Sequence, residues 1–190
     1  MKTYVISLYN QFQCLGGKCP HSCCKGWVIP VDDETYGRYC LTPGIYGRHL
    51  RFHVRKQNNM WAMRQLTGQC PHHNSDGLCQ FQLNGQIKLM PFVCRVYPRD
   101  AVAASHETEV TMELSCISMA KTFLENLGRL SFIPTTEKIE PIWEMDNDAP
   151  DFYEYLKKDR ERILDHVWND QKTLAEIWQA LMLMFIISMT

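Results

Sequence analysis

The sequence contains no C-x2-C pair, which removes the simplest route to a tetrahedral zinc site, two such knuckles facing one another. It has no G-x-G-x-x-G, Walker A, H-E-x-x-H or G-x-S-x-G motif. A Rossmann-type nucleotide or S-adenosylmethionine site, a P-loop, a zinc protease and a nucleophile elbow are therefore unsupported. The C-x3-C-x2-C spacing of radical S-adenosylmethionine enzymes is also missing, and Cys19-x3-Cys23-Cys24 supplies only half of it. The first residues, Met1 to Leu8, form too short an apolar run for a secretory segment, and no cleavage site follows. The apolar stretch from Ala180 to Thr190 falls short of the roughly 20 residues needed to span a bilayer. No membrane span is expected and a cytoplasmic address follows, with a membrane-surface anchor as the competing reading of that apolar tail. No acidic residue occurs between Thr35 and Ser75, and no low-complexity tract or internal repeat appears beyond the cysteine groups.

The chain of 190 residues is 45% hydrophobic and 22% charged, which suits an ordered globular protein with a real core. Its net charge of −1 hides an asymmetry: residues 1–100 hold twelve Lys or Arg against five Asp or Glu, and residues 101–190 hold eight against sixteen. Arg38, Arg48, Arg51, Arg55, Lys56 and Arg64 lie in the acid-free stretch. Such a surface suits nucleic acid or an anionic ligand. The plainer reading is that it faces the acidic helices of the same chain or offsets clustered thiolates. No nucleic-acid motif accompanies the charge, so nucleic acid is not expected as a partner.

Eight of the nine cysteines fall into two groups. Cys14, Cys19, Cys23 and Cys24 are packed among Gly16, Gly17, Pro20 and Gly26, and Cys70, Cys79, Cys94 and Cys116 follow. Glycine and proline favour the tight turns that let thiolates converge on one point. In a reducing compartment that convergence points to metal before disulfides, and an odd thiol count agrees. Adjacent Cys23 and Cys24 diverge too much to serve one ion easily. An iron–sulfur cluster tolerates such irregular spacing because its corners lie apart. His21, His72 and His73 sit close by; zinc held by Cys70, His72 and Cys79 is one reading, and solvated turn histidines beside Asn74-Ser75-Asp76-Gly77 the plainer one. Cys40 is expected as the spare thiol, a small buried hydrophobe on a helix. In Cys94-Arg95-Val96-Tyr97-Pro98-Arg99, Arg95 and Arg99 suit a cofactor-binding role, either neutralising a cluster or gripping a carboxylate or phosphate; the plainer alternative is a surface turn with two solvated arginines.

The pattern predicts an α+β chain. Asp32 caps a helix over roughly 33–41, with Tyr36, Tyr39 and Cys40 on one face and Pro43-Gly44 ending it. Alternation over 51–55 suggests a half-exposed strand, with 61–66 as partner. A short helix over 78–83 ends at Asn84-Gly85. Val110, Met112 and Leu114 mark the clearest strand. Ser115 starts a helix with the stripe Ala120, Phe123, Leu124 and Leu127, closed by Gly128. A further helix is expected from Pro150 to Trp168, with Phe152, Leu156, Ile163 and Val167 on one face, and another from Thr173. These divide into a cysteine-cluster domain over 1–130, a proline-bearing linker over 131–149, and a helical segment over 150–190 that reads as the start of a longer region.

Four blocks carry a resemblance. Cys14-x4-Cys19-Pro20-x2-Cys23-Cys24-Lys25-Gly26-Trp27, Cys70-Pro71 with Asp76-Gly77-Leu78-Cys79, Cys94-Arg95-Val96-Tyr97-Pro98-Arg99 and Glu113-Leu114-Ser115-Cys116 occur in that order. Over roughly residues 4–125 the chain resembles flagellin lysine-N-methylase and, more broadly, the zinc- or iron-chelating cysteine-cluster domain that this enzyme shares with small proteins. The resemblance implies an irregular, metal-organised α+β domain and a bacterial enzyme methylating lysines of flagellin. It also implies S-adenosylmethionine as donor and a 4Fe-4S cluster, with zinc as the alternative, held by ligands among Cys14, Cys19, Cys23, Cys24, Cys70, Cys79, Cys94 and Cys116. Family members are about twice this length. The alternative from a different class is a non-enzymatic zinc- or iron-binding module.

Overall fold

A computed structural model describes residues 2–104, 106–126, 130–145 and 150–169. It is an α+β chain in two compact units, one made of Leu8–Asp100 and Thr111–Asn126, the other of residues 1–7, 101–110 and 127–190.

The second of these units is built on a sheet. Its strands are β1 (Lys2–Ile6), β4 (Arg99–Ala104), β5 (Glu107–Met112), β6 (Phe132–Thr135) and β7 (Trp143–Glu144), in the order β6-β1-β5-β4-β7. β1 runs parallel to β5, Tyr4 opposite Glu109, and antiparallel to β6, Tyr4 opposite Pro134. A parallel pair needs a crossover; here it carries nearly all of the cysteine-bearing unit. Along β5, Thr108 and Val110 are buried, and their alternation with polar neighbours is the period-2 signal of the sequence. The strand ends at Met112, so Leu114 lies beyond it and is exposed. The 131–149 stretch supplies β6 and β7. Helix α6 (Pro150–Asn169) is anchored on β5: Arg160 forks Glu109 through two hydrogen bonds of 2.6 and 2.9 Å, and Lys157 reaches Glu107 at 3.0 Å. These pairs form within the acidic half, between its own few cations and its acids, and do not use the arginines of the acid-free stretch. The side chains of Phe152 and Val167, the helix stop at Gly128 with Leu127, and the helix and apolar tail from Thr173 lie outside the described residues.

The cysteine-bearing unit packs around Ile29, Val31, Tyr39, Leu50, Met63 and Phe81. Helix α1 (Asp33–Leu41) begins as expected, with Asp32 Oδ1 accepting from Thr35 N at 2.8 Å. Tyr39 turns into the core, whereas Cys40 is exposed, correcting the expectation of a buried hydrophobe. The face that packs is centred on Thr35 and Tyr39, and Cys40 lies about 100° further round the helix. Helix α2 (Gly44–Phe52) takes Arg51 and Phe52 from the strand expected over 51–55, which begins only at Val54 and there pairs with residues 60–63, overlapping the partner expected over 61–66. Burial of Leu50 and the bond from Arg51 Nη1 to Tyr39 O, 2.9 Å, hold it as a helix. Its start fits against α1 because residue 47 is glycine: a Cβ there would stand 1.8 Å from Thr42 O. After His53 the chain forms a hairpin of β2 (Val54–Gln57) and β3 (Met60–Met63). Asn58 and Asn59 both take positive φ at its turn, 48° and 62°, as a two-residue hairpin turn of right twist requires. Three short helices complete the unit: α3 (Gln80–Leu83), α4 (Phe92–Val96) and α5 (Ile117–Glu125). Cys116, not Ser115, takes the N-cap position of α5, which buries Ser118 and Met119 and leaves Leu124 of the expected stripe exposed.

Candidate functional site

Close backbone approach, more than side-chain packing, brings the first two cysteine blocks together. A 3-10 turn over Gly16–Lys18 delivers Cys19, whose N–H bonds Gly16 O at 3.0 Å. Gly17 lies directly on the Asp76–Gly77 backbone, where a Cβ would meet Asp76 O at 2.4 Å. Gly77 answers with φ +77°, a conformation glycine adopts without strain. Asn74 shapes that turn, its Oδ1 accepting from Asp76 N and Leu78 N at 3.0 and 2.8 Å. A second strap joins the far end of the first block to the start of the second: Cys70 N donates to Cys24 O at 2.7 Å and Gly26 N to Gly68 O at 3.3 Å. Trp27 Nε1 donates to Cys23 O at 2.8 Å, which ties the Gly26-Trp27 context to the thiols.

The third block is positioned from α1. Asp32 Oδ2 accepts from Phe92 N at 2.7 Å, so one carboxylate starts both α1 and the helix that carries Cys94. Burial alone would raise the Asp32 pKa; the bonds from Phe92 N and Thr35 outweigh it and hold the carboxyl below its ordinary value. Tyr39 Oη donates to Leu89 O at 2.7 Å on the same segment. In the fourth block Glu113 N bonds Pro98 O at 2.7 Å, Tyr97 Oη meets Ser115 Oγ at 3.2 Å, and Ser118 Oγ donates to Gln13 O next to Cys14.

Five thiols form one electrostatic neighbourhood: Cys23, Cys24, Cys70, Cys79 and Cys94. The bond to Cys24, then burial, pushes the Cys23 thiol far up. For Cys24 the bond from Cys23 favours the thiolate, but the bond to Cys70, burial and the charges of Cys70 and Cys79 prevail and raise it to about 11. Burial, then Cys24, Cys23 and Cys79, raises Cys94. Of the other predicted ligands, Cys14 Sγ accepts from Gly16 N at 3.4 Å, Cys19 Sγ donates to His21 O at 3.1 Å, and Cys116 lies near Tyr97. All nine cysteines are free thiols. Among the described residues no three His, Cys, Asp or Glu side chains are already drawn to metal-ligand spacing. The donor set is nevertheless of the kind a soft metal or iron–sulfur group takes: several thiols from distant segments in one neighbourhood.

Arg99 is committed locally, donating from Nε to Tyr9 Oη at 2.8 Å and lying 5.3 Å from that ring's centroid. Arg95 lies 5.6 Å from the Phe92 ring centroid, and its buried Nε has no hydrogen-bond partner among the described residues. His72 and His73 depart from the solvated-turn reading, whereas His21 is exposed. His72 is only 2% exposed and packs 4.2 Å from Phe81, ring to ring, and its burial, with His53 and His49 nearby, lowers its pKa to about 4. His73 pairs with Cys79 in a β-bridge and meets Ser22 Oγ through Nε2 at 3.2 Å. His49 and His53, 4.4 Å apart by ring centroid, face His72 across 6.1 and 5.7 Å. Sequence reasoning missed this trio because His49-x3-His53 is a one-face pair only on a helix, and residues 51–55 read as strand.

The fold and site thus define an α+β protein organised around a cluster of cysteine thiols. Comparison with known proteins gives its kinship. The chain is 28% identical over 146 residues to the lysine-N-methylases of Salmonella typhimurium and of Salmonella choleraesuis, matches that cover 70% of this chain and 36% of each relative. It is 27% identical over 124 residues to the flagellar biosynthetic protein FliU of Salmonella muenchen, covering 62% of this chain and 73% of FliU. These matches bear out the resemblance to the flagellin lysine-N-methylase family that the cysteine blocks carry. The aligned part spans little more than a third of the length of the two lysine-N-methylases, 36%. No family model matches the chain, and no solved structure matches it.

Proposed function

We propose that this chain is the cysteine-cluster part of a cytoplasmic protein-lysine N-methyltransferase that acts on flagellin, with S-adenosylmethionine as donor and a 4Fe-4S cluster held by its thiols. The observation that carries this reading is the sequence match to proteins named lysine-N-methylase. The gathering of cysteines from three of the four blocks in one neighbourhood supports it. The ligands of the cluster would come from among Cys23, Cys24, Cys70, Cys79 and Cys94, with one iron left without a thiolate. When bound, the cluster would supply an iron position for the amino-acid end of the donor. No helix among the described residues is long and apolar enough to cross a membrane.

The reaction is an in-line displacement. The lone pair of a neutral lysine Nζ attacks the methyl carbon, the N–C bond forms as the C–S bond breaks, and the electron pair returns to sulfur as the thioether. The amine must first lose its proton, held with an ordinary pKa near 10.4, to a base or to solvent. What this chain contributes is placement: Gly17 on Gly77 and Asp32 beneath Phe92 fix the thiol-bearing segments, and a fixed donor reacts faster than a diffusing one.

The test is metal and acid-labile sulfide analysis of anaerobically purified protein, followed by transfer of labelled methyl groups from S-adenosylmethionine to purified flagellin. About four iron and four sulfide per chain with labelled flagellin support the reading. Stoichiometric zinc, no sulfide and no transfer would replace it with the non-enzymatic binding module.

A further inference from the structure

A pocket of about 110 Å³ opens beside Cys70, lined among others by His53, Arg64, Thr67, Gln69 and His73. It is of a size for a few waters or one small functional group. No acidic residue lines it, and none occurs in the sequence from Tyr36 to Ser75.

Three of its lining residues carry buried nitrogens without a partner among the described residues: Arg64 Nε, His53 Nδ1 and His73 Nδ1. Buried donors are almost always paired, so the orphan Arg64 Nε at this cavity indicates an acceptor that the chain itself does not supply, to which the two imidazoles can also donate in their Nδ1–H tautomers. Ser22 Oγ accepts from Cys24 N at 3.2 Å and meets His73 Nε2, also at 3.2 Å. In the tautomer where the hydroxyl donates to Nε2, Nδ1 of His73 bears the ring proton and is a donor. Arg64 lies 5.2 Å from the Phe52 ring centroid, and a guanidinium that uses its face on an aromatic ring keeps its in-plane edge for hydrogen bonding. Its Nε belongs to that edge and is buried. Among the described residues no carboxylate pairs with Arg64.

We infer that this pocket binds the carboxylate of a small ligand beside the thiol cluster, with the Nε edge of Arg64 taking the two oxygens and His73 donating a further bond. A planar two-oxygen anion matches the guanidinium edge, and the uncompensated cation supplies the charge. The inference does not depend on methyl transfer, so it and the function proposed above fail separately.

The test is titration of the full chain, with its metal bound, using sodium acetate at constant ionic strength, followed by the side-chain NMR signals of His53 and His73 in histidine-labelled protein. The expected result is a saturable shift of both. Arg64→Gln should weaken acetate binding by about tenfold or more, and Arg64→Lys, which keeps the charge and loses the edge, should weaken it to a lesser degree while keeping the fold. Arg48→Gln, an exposed arginine away from the pocket, should leave binding unchanged. A linear, non-saturating response, an equal loss in Arg48→Gln, or unaltered affinity in Arg64→Lys and Arg64→Gln alike would overturn the inference. Inorganic phosphate is the second probe: tighter binding of phosphate than of acetate would overturn the assignment to a carboxylate.

Discussion

Replacing Gly17 by alanine should separate the role of the glycine contact from general stability. The added Cβ would stand 2.4 Å from Asp76 O, a backbone atom that cannot swing aside, where ordinary contact begins at 3.4 Å. One strand of backbone must therefore retreat by about 1 Å, and overpacking of this kind costs about 1–3 kcal/mol. At about 2 kcal/mol the folded-to-unfolded ratio falls roughly thirtyfold. The retreat moves the block of Cys23 and Cys24 away from that of Cys70 and Cys79, and about 1 Å is several times the tolerance of a metal–thiolate bond, about 0.2 Å. Metal per folded chain should therefore fall as well. Two companions make the result decisive. Gly47→Ala drives a Cβ to 1.8 Å from Thr42 O, so it should destabilise at least as much, yet it lies between α1 and α2 and should leave metal per folded chain unchanged. Gly37→Ala meets nothing within 4 Å inside α1 and should stabilise by about 0.5–1 kcal/mol. Urea unfolding and metal analysis of the folded fraction read both quantities. Full metal content and wild-type stability in Gly17→Ala would refute the reasoning.

Asp32→Ala removes the cap of α1 and strands the Phe92 amide, and should cost about 2–3 kcal/mol in urea unfolding. Because the folded carboxyl is held below its unfolded value, its contribution is complete above about pH 4 and is lost as pH falls through the folded value. The alanine variant should accordingly show a flatter acid limb, and parallel limbs would count against the assignment. Cys24→Ser should lose most of the bound metal, since Cys24 lies in the electrostatic neighbourhood of Cys23, Cys70 and Cys79, whereas Cys40→Ser, on the exposed side of α1, should keep it. Equal metal content in the two variants would mean that the cluster has been placed on the wrong thiols.

How much of the protein was legible in its sequence depended on the reach of each interaction. Helix α1 was readable because its signal is local: Asp32 caps an amide three residues away, and the apolar positions repeat at helical period. The alternation at Val110 and Met112 likewise reports a strand through its own pattern of burial. The four cysteine blocks and their order carried the family kinship, as four short stretches of chain can without any contact between them. Helix α2 was hidden, because Gly44 and Gly47 depress helix propensity and the short alternation at Phe52 and Val54 resembles a strand. With it the His49–His53 pair and its meeting with His72 were hidden too. Cys40 was misplaced because periodicity shows which residues share a face but not which face the rest of the chain will cover. The sharpest limit concerns the thiols themselves. Their number and clustering are properties of the sequence. That Cys23 and Cys24 lie with Cys70, that Cys94 joins them, and that Arg99 bonds Tyr9, 90 residues earlier, were decided by contacts between distant segments. Gly17 against Asp76 and Asp32 against Phe92 make those contacts, and they exist only once the tertiary structure has formed.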